Sequence, residues 1–127
     1  MRYTTKARLP KFRATFYRSS SGRELVRDWL LSLPKEERRQ IGKDIAYVQY
    51  KWPIGKPRVD HLWGGVWEVR TRLEHRIARV LFALSGQEIV LLHGFIKKTQ
   101  RTSTDDIKLA EKRWKEWQHG DTEQASG

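Results

Sequence analysis

The stretch Val66-Trp67-Glu68-Val69-Arg70-Thr71-Arg72-Leu73, followed by Glu74-His75 and then Arg76-Ile77-Ala78-Arg79-Val80-Leu81-Phe82-Ala83-Leu84, decides the fold. Trp67, Val69 and Thr71 alternate with Glu68, Arg70 and Arg72, which is the period of a β-strand. Glu74-His75 is short and polar and suits a tight hairpin loop. If those two residues form the loop, Leu73 faces Arg76, and Arg70 lies directly opposite Arg79. Facing residues share one side of a sheet, about 5 Å apart at Cβ. Two arginines so placed repel each other unless an anion sits between them. Glu68, two residues along on the same face, is one such anion, and a bound phosphate is the other.

Working outward, Glu88 to Lys97 reads as a further strand, and Ile89, Val90, Leu91 and Leu92 mark it as central or well covered. With Ser85-Gly86-Gln87 as the intervening loop, His93 falls opposite Arg79, and Phe95 and Lys97 continue on that side. A different loop length moves His93 to the other face. In this register one face carries Arg70, Arg72, Arg79, His93 and Lys97. Trp67, Val69, Val80, Phe82 and Leu92 then face the helices.

Upstream, Phe12 to Arg18 alternates as a first strand, and Ser19-Ser20-Ser21 offers a helix N-cap with Ser21 and Glu24 at capping-box spacing. Leu25, Trp29 and Leu33 form an apolar helical stripe that Pro34 ends. Ile41, Ile45 and Val48 line a second helix, from about Lys35 to Tyr50. Pro53, Gly55 and Pro57 then mark a basic loop holding Lys51, Lys56 and Arg58. His61-Leu62-Trp63-Gly64-Gly65 leads into the meander, its glycines permitting a tight bend. Downstream, Thr102 or Ser103 caps a last helix whose first turn is acidic, with Ile107, Ala110, Trp114 and Trp117 at helical spacing.

The expected fold is therefore α+β, in the order β-α-α-β-β-β-α. It is a mainly antiparallel sheet with a helical hairpin and a C-terminal helix, the helices packed on one face. One domain spans residues 1–117. Residues 1–11 are expected to be flexible at the start, and residues 118–127 to form a flexible tail.

Composition narrows the function classes. Lys plus Arg is 26 against 15 Asp plus Glu, a net charge of +11, and the pI is near 10.3. Such a field attracts polyanions, so a nucleic-acid or ribosomal partner is expected. Six tryptophans supply core. The absence of cysteine excludes disulfides and Cys-ligated zinc and suits a reducing cytoplasm. No apolar run approaches the ~20 residues of a membrane span, and the cationic N-terminus does not read as a secretory signal.

The chain carries no P-loop, no HExxH, no carboxylate run fit for a divalent metal and no nucleophile elbow, so neither metal nor cofactor is expected. Metal-free cleavage of RNA by its own 2′-OH needs a base, an acid, and cations for the charge growing on phosphorus. Arg79 and Arg70 suit the last task, because guanidinium pairs bidentately with phosphate oxygens. His93, His61 or a lysine can carry protons. Each residue also has a structural alternative. Arg79 interrupts an apolar strand and is either salt-bridged to Glu68 or functional, and His93 is either a core histidine hydrogen-bonded to backbone or catalytic. Trp63 is either core or a stacking platform, and Arg72 and Arg76 near the hairpin tip are either solvated charges or contacts.

The stretch His61 to Arg70, then Arg76 to Phe82, then Leu91-Leu92-His93-Gly94-Phe95-Ile96-Lys97-Lys98-Thr99-Gln100, together resemble the HigB-like (phage Gp49-like) branch of the RelE/ParE toxin superfamily. The helix with Asp106, Ile107, Ala110 and Arg113 extends the resemblance to about residues 12–117. It implies the toxin of a type II toxin–antitoxin pair that cuts mRNA in the ribosomal A site. It also implies a HigA-like helix-turn-helix antitoxin that binds the toxin and carries it to operator DNA. Carried over by position, Arg79 matches the sheet arginine on the scissile phosphate. Lys97 or Lys98 matches a second catalytic cation, and His61 a loop histidine. RelE-like toxins often use a tyrosine near the C-terminus, and this chain has none after Tyr50. The base is then left to His93 or a lysine. The expected catalytic set is Arg79, Lys97, Lys98, His93 and Arg70, with RNA contacts from His61, Arg72, Arg76, Lys56, Arg58 and Gln100. The alternatives are a ParE-like gyrase poison without RNase activity and a degenerate toxin acting only as antitoxin-binding co-repressor.

Overall fold

The hairpin at Glu74-His75 folds as its sequence predicts. The Leu73 N–H donates to the Arg76 carbonyl at 2.8 Å, and Arg70 pairs with Arg79 and Arg72 with Ile77. The computed structural model describes residues 9–126. The start of the chain, expected to be flexible, lies at residues 1–8 outside the described residues. The elements are β1 (Arg13–Phe16), α1 (Leu25–Leu31), α2 (Lys35–Lys51), β2 (Val59–Trp63), β3 (Val66–Arg72), β4 (Ile77–Ser85), β5 (Glu88–Ile96) and α3 (Thr104–Ser126). They form one five-stranded sheet in the order β1-β5-β4-β3-β2. β1 runs parallel to β5, and every other pairing is antiparallel.

The fold is α+β as expected, with one strand more. Val59 to Trp63, read as loop and lead-in, pairs along β3 with Val59 opposite Val69 and Asp60 opposite Glu68. Gly64 makes the turn between them at φ +54°, a left-handed conformation that glycine adopts without strain.

The second hairpin corrects the register. Ser85 pairs with Glu88, so the loop is Gly86-Gln87 rather than three residues, with Gly86 at φ +58°. Leu81 faces His93 while Phe82 faces Leu91, which leaves Leu92 as an extra residue in β5. The shorter loop alone puts His93 on the far face, and the bulge brings it back. Arg79 therefore faces Phe95, and His93 stands two pairs further along, opposite Leu81 and on the same side.

The helices cover both faces of the sheet, not one. Val26 of α1 and Ile41, Ile45 and Val48 of α2 pack with Val69, Val80, Phe82 and Leu91. On the other face Ala110, Trp114 and Trp117 of α3 pack with Val66, Leu81, Ala83, Val90 and Leu92. Leu92 thus lies under α3 and not under the helical hairpin. A strand covered on both faces reads as a continuous apolar run, which is what β4 shows from Val80 to Leu84. Two close approaches fix the layers. A Cβ at Gly94 would collide with the Trp29 ring of α1, and one at Gly65 would meet Trp114 Nε1 of α3 at 3.0 Å.

Helix ends follow local chemistry with one exception. Ser103 caps α3: its Oγ accepts the Asp106 N–H at 3.1 Å and donates to Asp106 Oδ2 at 2.7 Å. The serine triplet does not cap α1. Ser19 Oγ instead accepts the Arg23 N–H at 3.2 Å inside a turn that Gly22 allows at φ +85°, and α1 starts at Leu25 with no side-chain cap. α3 runs through Gln118 to Ser126, the stretch expected as tail. Among the described residues no helix is long and apolar enough to cross a membrane.

Candidate nucleic-acid interface

The two facing arginines are held by carboxylates. Glu68 is 0% exposed and Arg79 3%. Glu68 Oε1 accepts Arg70 Nε at 2.9 Å, and its Oε2 lies 3.7 Å from Arg79 NH1. Arg70 NH2 reaches Asp60 Oδ2 of β2 at 3.1 Å, and Asp60 also lies 3.9 Å from Lys56 Nζ. Charges alternate along this row as Asp60, Arg70, Glu68, Arg79, so each buried charge has an opposite neighbour, as burial demands. The repulsion expected between Arg70 and Arg79 is thus relieved from within. Of the two roles open to Arg79, the geometry shows the salt bridge.

Arg79 also grips the connection between β5 and α3. Its NH1 donates to Thr102 Oγ1 at 2.7 Å and its NH2 to the Gln100 carbonyl at 2.8 Å. Thr102 in turn donates to Glu68 Oε2. Nε of Arg79 is buried without a partner. This latch sets the course of residues 97–103, which carry Lys97, Lys98 and Gln100.

Those residues form one wall of a cationic cleft at the end of the sheet. Arg72, Arg76, Ile77, Lys97, Lys98 and Gln100 line about 620 Å³ of it, with Glu74 and His75 at the hairpin tip. A contiguous part of about 420 Å³ shares Arg72, Ile77, Lys97 and Gln100 and adds Arg58, Arg70 and Arg79. Most of the expected site residues therefore converge. Among the described residues, no carboxylate lies within ion-pairing distance of Arg72, Lys97 or Lys98. Arg76 is different, since its NH2 and Nε hold Glu37 of α2 at 2.5 and 3.1 Å. That guanidinium keeps the Glu37 carboxyl below its ordinary range.

Three expected residues lie elsewhere. His93 lines neither part of the cleft. It sits under α3 with Nε2 2.7 Å from Asp106 Oδ1 and its ring stacked on Phe95 at 5.1 Å. Burial pushes its imidazole below the ordinary value, partly opposed by Asp106. Its partner is thus a carboxylate of α3 and not the backbone group expected of a core histidine. His61 contacts the Gly64 carbonyl through Nε2 at 2.6 Å and packs on Trp67 in the β2–β3 hairpin, away from the cleft. Lys56 stays exposed beside Asp60. Among the described residues no group of three His, Asp or Glu gathers as a metal site would require.

Sequence reasoning missed Asp60, His75 and Thr102. Asp60 was hidden with β2 itself. The sequence shows His75 only as a loop residue, and a hairpin tip that abuts the strand end after β5 puts it in the cleft. Thr102 has the chemistry of a helix cap, but its hydroxyl serves the latch instead.

Over residues 28–115, more than half of the chain, the sequence matches the family described as phage derived protein Gp49-like (DUF891). The match runs from α1 through the sheet into α3 and contains the whole cleft. The chain belongs to this Gp49-like family, the family of HigB-like toxins within the RelE superfamily. The family points to the toxin of a toxin–antitoxin pair, which implies an antitoxin as partner. No curated protein matches the chain closely enough to count as a relative.

Proposed function

We propose that this protein is a ribosome-dependent mRNA endoribonuclease that arrests translation, cutting by attack of the 2′-OH on the adjacent phosphate without a metal. The observation that carries this reading is the convergence of Arg72, Lys97 and Lys98 on one cleft with no carboxylate partner among the described residues. Unpaired cations in a concave site hold a phosphate and stabilise the charge that develops on it. Arg70 and Arg79 stand behind them, already neutralised by Glu68 and Asp60. Arg79 then serves by holding the 97–103 connection, and Lys97 and Lys98 meet the phosphate. Of the imidazoles, His75 lines the cleft, and we assign proton transfer to it with Lys97 or Lys98 as partner. A cognate helix-turn-helix antitoxin, neutralising this face and binding operator DNA, completes the reading, and the place of action is the cytoplasm.

Primer extension on an mRNA, with and without ribosomes, tests this. Breaks appear only with ribosomes, and the Lys97→Ala, Lys98→Ala double variant makes none. An mRNA left intact with ribosomes present, combined with gyrase-dependent DNA breaks, overturns the reading in favour of a gyrase poison. Tight antitoxin binding with neither activity overturns it in favour of a co-repressor.

A further inference from the structure

The solvent face of α2 carries a second feature that the cleft does not use. Arg39, Lys43, Tyr47 and Tyr50 are spaced four, four and three residues apart, so they share one side of the helix. Ile41, Ile45 and Val48 occupy the opposite side and are buried. Tyr47 and Tyr50 remain 41% and 37% exposed, among the most exposed large apolar residues described. The guanidinium of Arg58 lies over the Tyr47 ring, 4.1 Å from its centroid. Arg58 also lines the cleft beside Arg70, Arg72 and Lys97. The face is therefore continuous with the cleft through one residue.

We infer that this face of α2 is a docking surface for folded RNA, extending the substrate-bearing contact beyond the cut site. Cations beside exposed aromatic rings suit RNA, because phosphates take the cations while unstacked bases lie on the rings. The charge left for a partner is that of Lys43 and Arg58, neither of which has a carboxylate within ion-pairing distance among the described residues. Glu36 is tied to Arg39 at 3.5 Å, and Asp44 lies towards the cleft. Charge complementarity with a polyanion follows, and the net charge of +11 has the same sign. An acidic peptide would engage the cations but give the two tyrosine rings no flat partner. The inference rests on the proposed reading that the target is a ribosome-bound mRNA.

Equilibrium binding of the full chain to purified ribosomes decides it, comparing wild type with a Tyr47→Ala, Tyr50→Ala variant and with Tyr47→Phe. The double variant should bind about tenfold more weakly or worse, the fold-change that one lost base stack corresponds to. Tyr47→Phe should bind as wild type, since the ring and not the hydroxyl stacks. Matched thermal melts separate this from misfolding, because both side chains are solvent-facing. Equal ribosome affinity for wild type and the double variant overturns the inference alone and leaves the face to a protein partner. Absence of ribosome binding by the wild type overturns the proposed function and this surface with it.

Discussion

Arg70 and Arg79 face each other across β3 and β4, and Glu68, fully buried, takes a contact from each. Of the two anions that the sequence allows between these arginines, Glu68 and a phosphate, the fold supplies Glu68 and closes an ion network. The same network holds the connection that presents Lys97 and Lys98.

Removing Glu68 leaves a buried Arg79 without its counter-charge. Glu68→Gln should lower unfolding stability by about 3–5 kcal/mol, the cost of breaking a buried ion pair. Thr102→Val, which removes the hydroxyl's hydrogen bonds to Glu68 and from Arg79 but leaves the ion pair, should cost less, about 2–3 kcal/mol. Urea unfolding of each variant checks the ordering. A Glu68→Gln protein as stable as wild type contradicts the network.

Arg79 and Lys97 should fail in different ways. Lys97→Ala should lose activity at unchanged stability, and the dependence of log RNA affinity on log salt should fall by about 0.7, one phosphate contact to a single strand. Arg79→Ala should lose activity and stability together and leave the salt slope alone. A slope change at Arg79 would return it to the phosphate.

How much was legible from the sequence follows from particular residues. The first hairpin was readable because Glu74-His75 is an unambiguous two-residue loop, and one fixed loop sets every pair behind it. The second was not. Ser85 belongs to the strand, and a bulge at Leu92 adds a residue that no alternation pattern announces. The two departures partly cancel, so His93 reached the expected face in the wrong pair. β2 was hidden because Asp60 and His61 make it look polar, although it is an edge strand. The double covering of the sheet had a signal in the unbroken apolar run Val80 to Leu84. The cationic residues of the cleft were visible as residue types, but which of them are neutralised depends on Glu68, Asp60 and Glu37 in three dimensions.

His93 makes stability depend on pH. Burial lowers its pKa in the folded state, so the unfolded chain binds the proton more readily. The contribution is fully present above the ordinary value near 6.5 and is lost as the pH falls from there through the folded-state pKa. Urea midpoints should therefore drop on acidification below about pH 6.5 in the wild type. His93→Asn should flatten that part of the profile. An unchanged slope in the variant contradicts the assignment.

Tyr17 offers a spectroscopic check on how α3 docks. Its hydroxyl donates to Glu116 of α3, beside Arg113, whose NH1 donates to the Leu92 carbonyl at 2.7 Å. Burial and the Glu116 carboxylate push the phenol up to about 12. Ultraviolet titration should show one tyrosine ionising near that pH, and Tyr17→Phe should remove that step. A Tyr17→Phe titration identical in its last step to wild type contradicts the packing.

The central claim is that the unpaired cations of the cleft cut ribosome-bound mRNA. Its most direct measurement is the single-turnover cleavage rate of an mRNA on purified ribosomes, wild type against Lys97→Ala, at matched thermal stability. The account predicts ribosome-dependent cleavage by the wild type and a fall of about a hundredfold or more in the variant, the scale on which loss of a charge-stabilising donor acts. Equal rates in the two proteins, or no cleavage by the wild type, contradicts it.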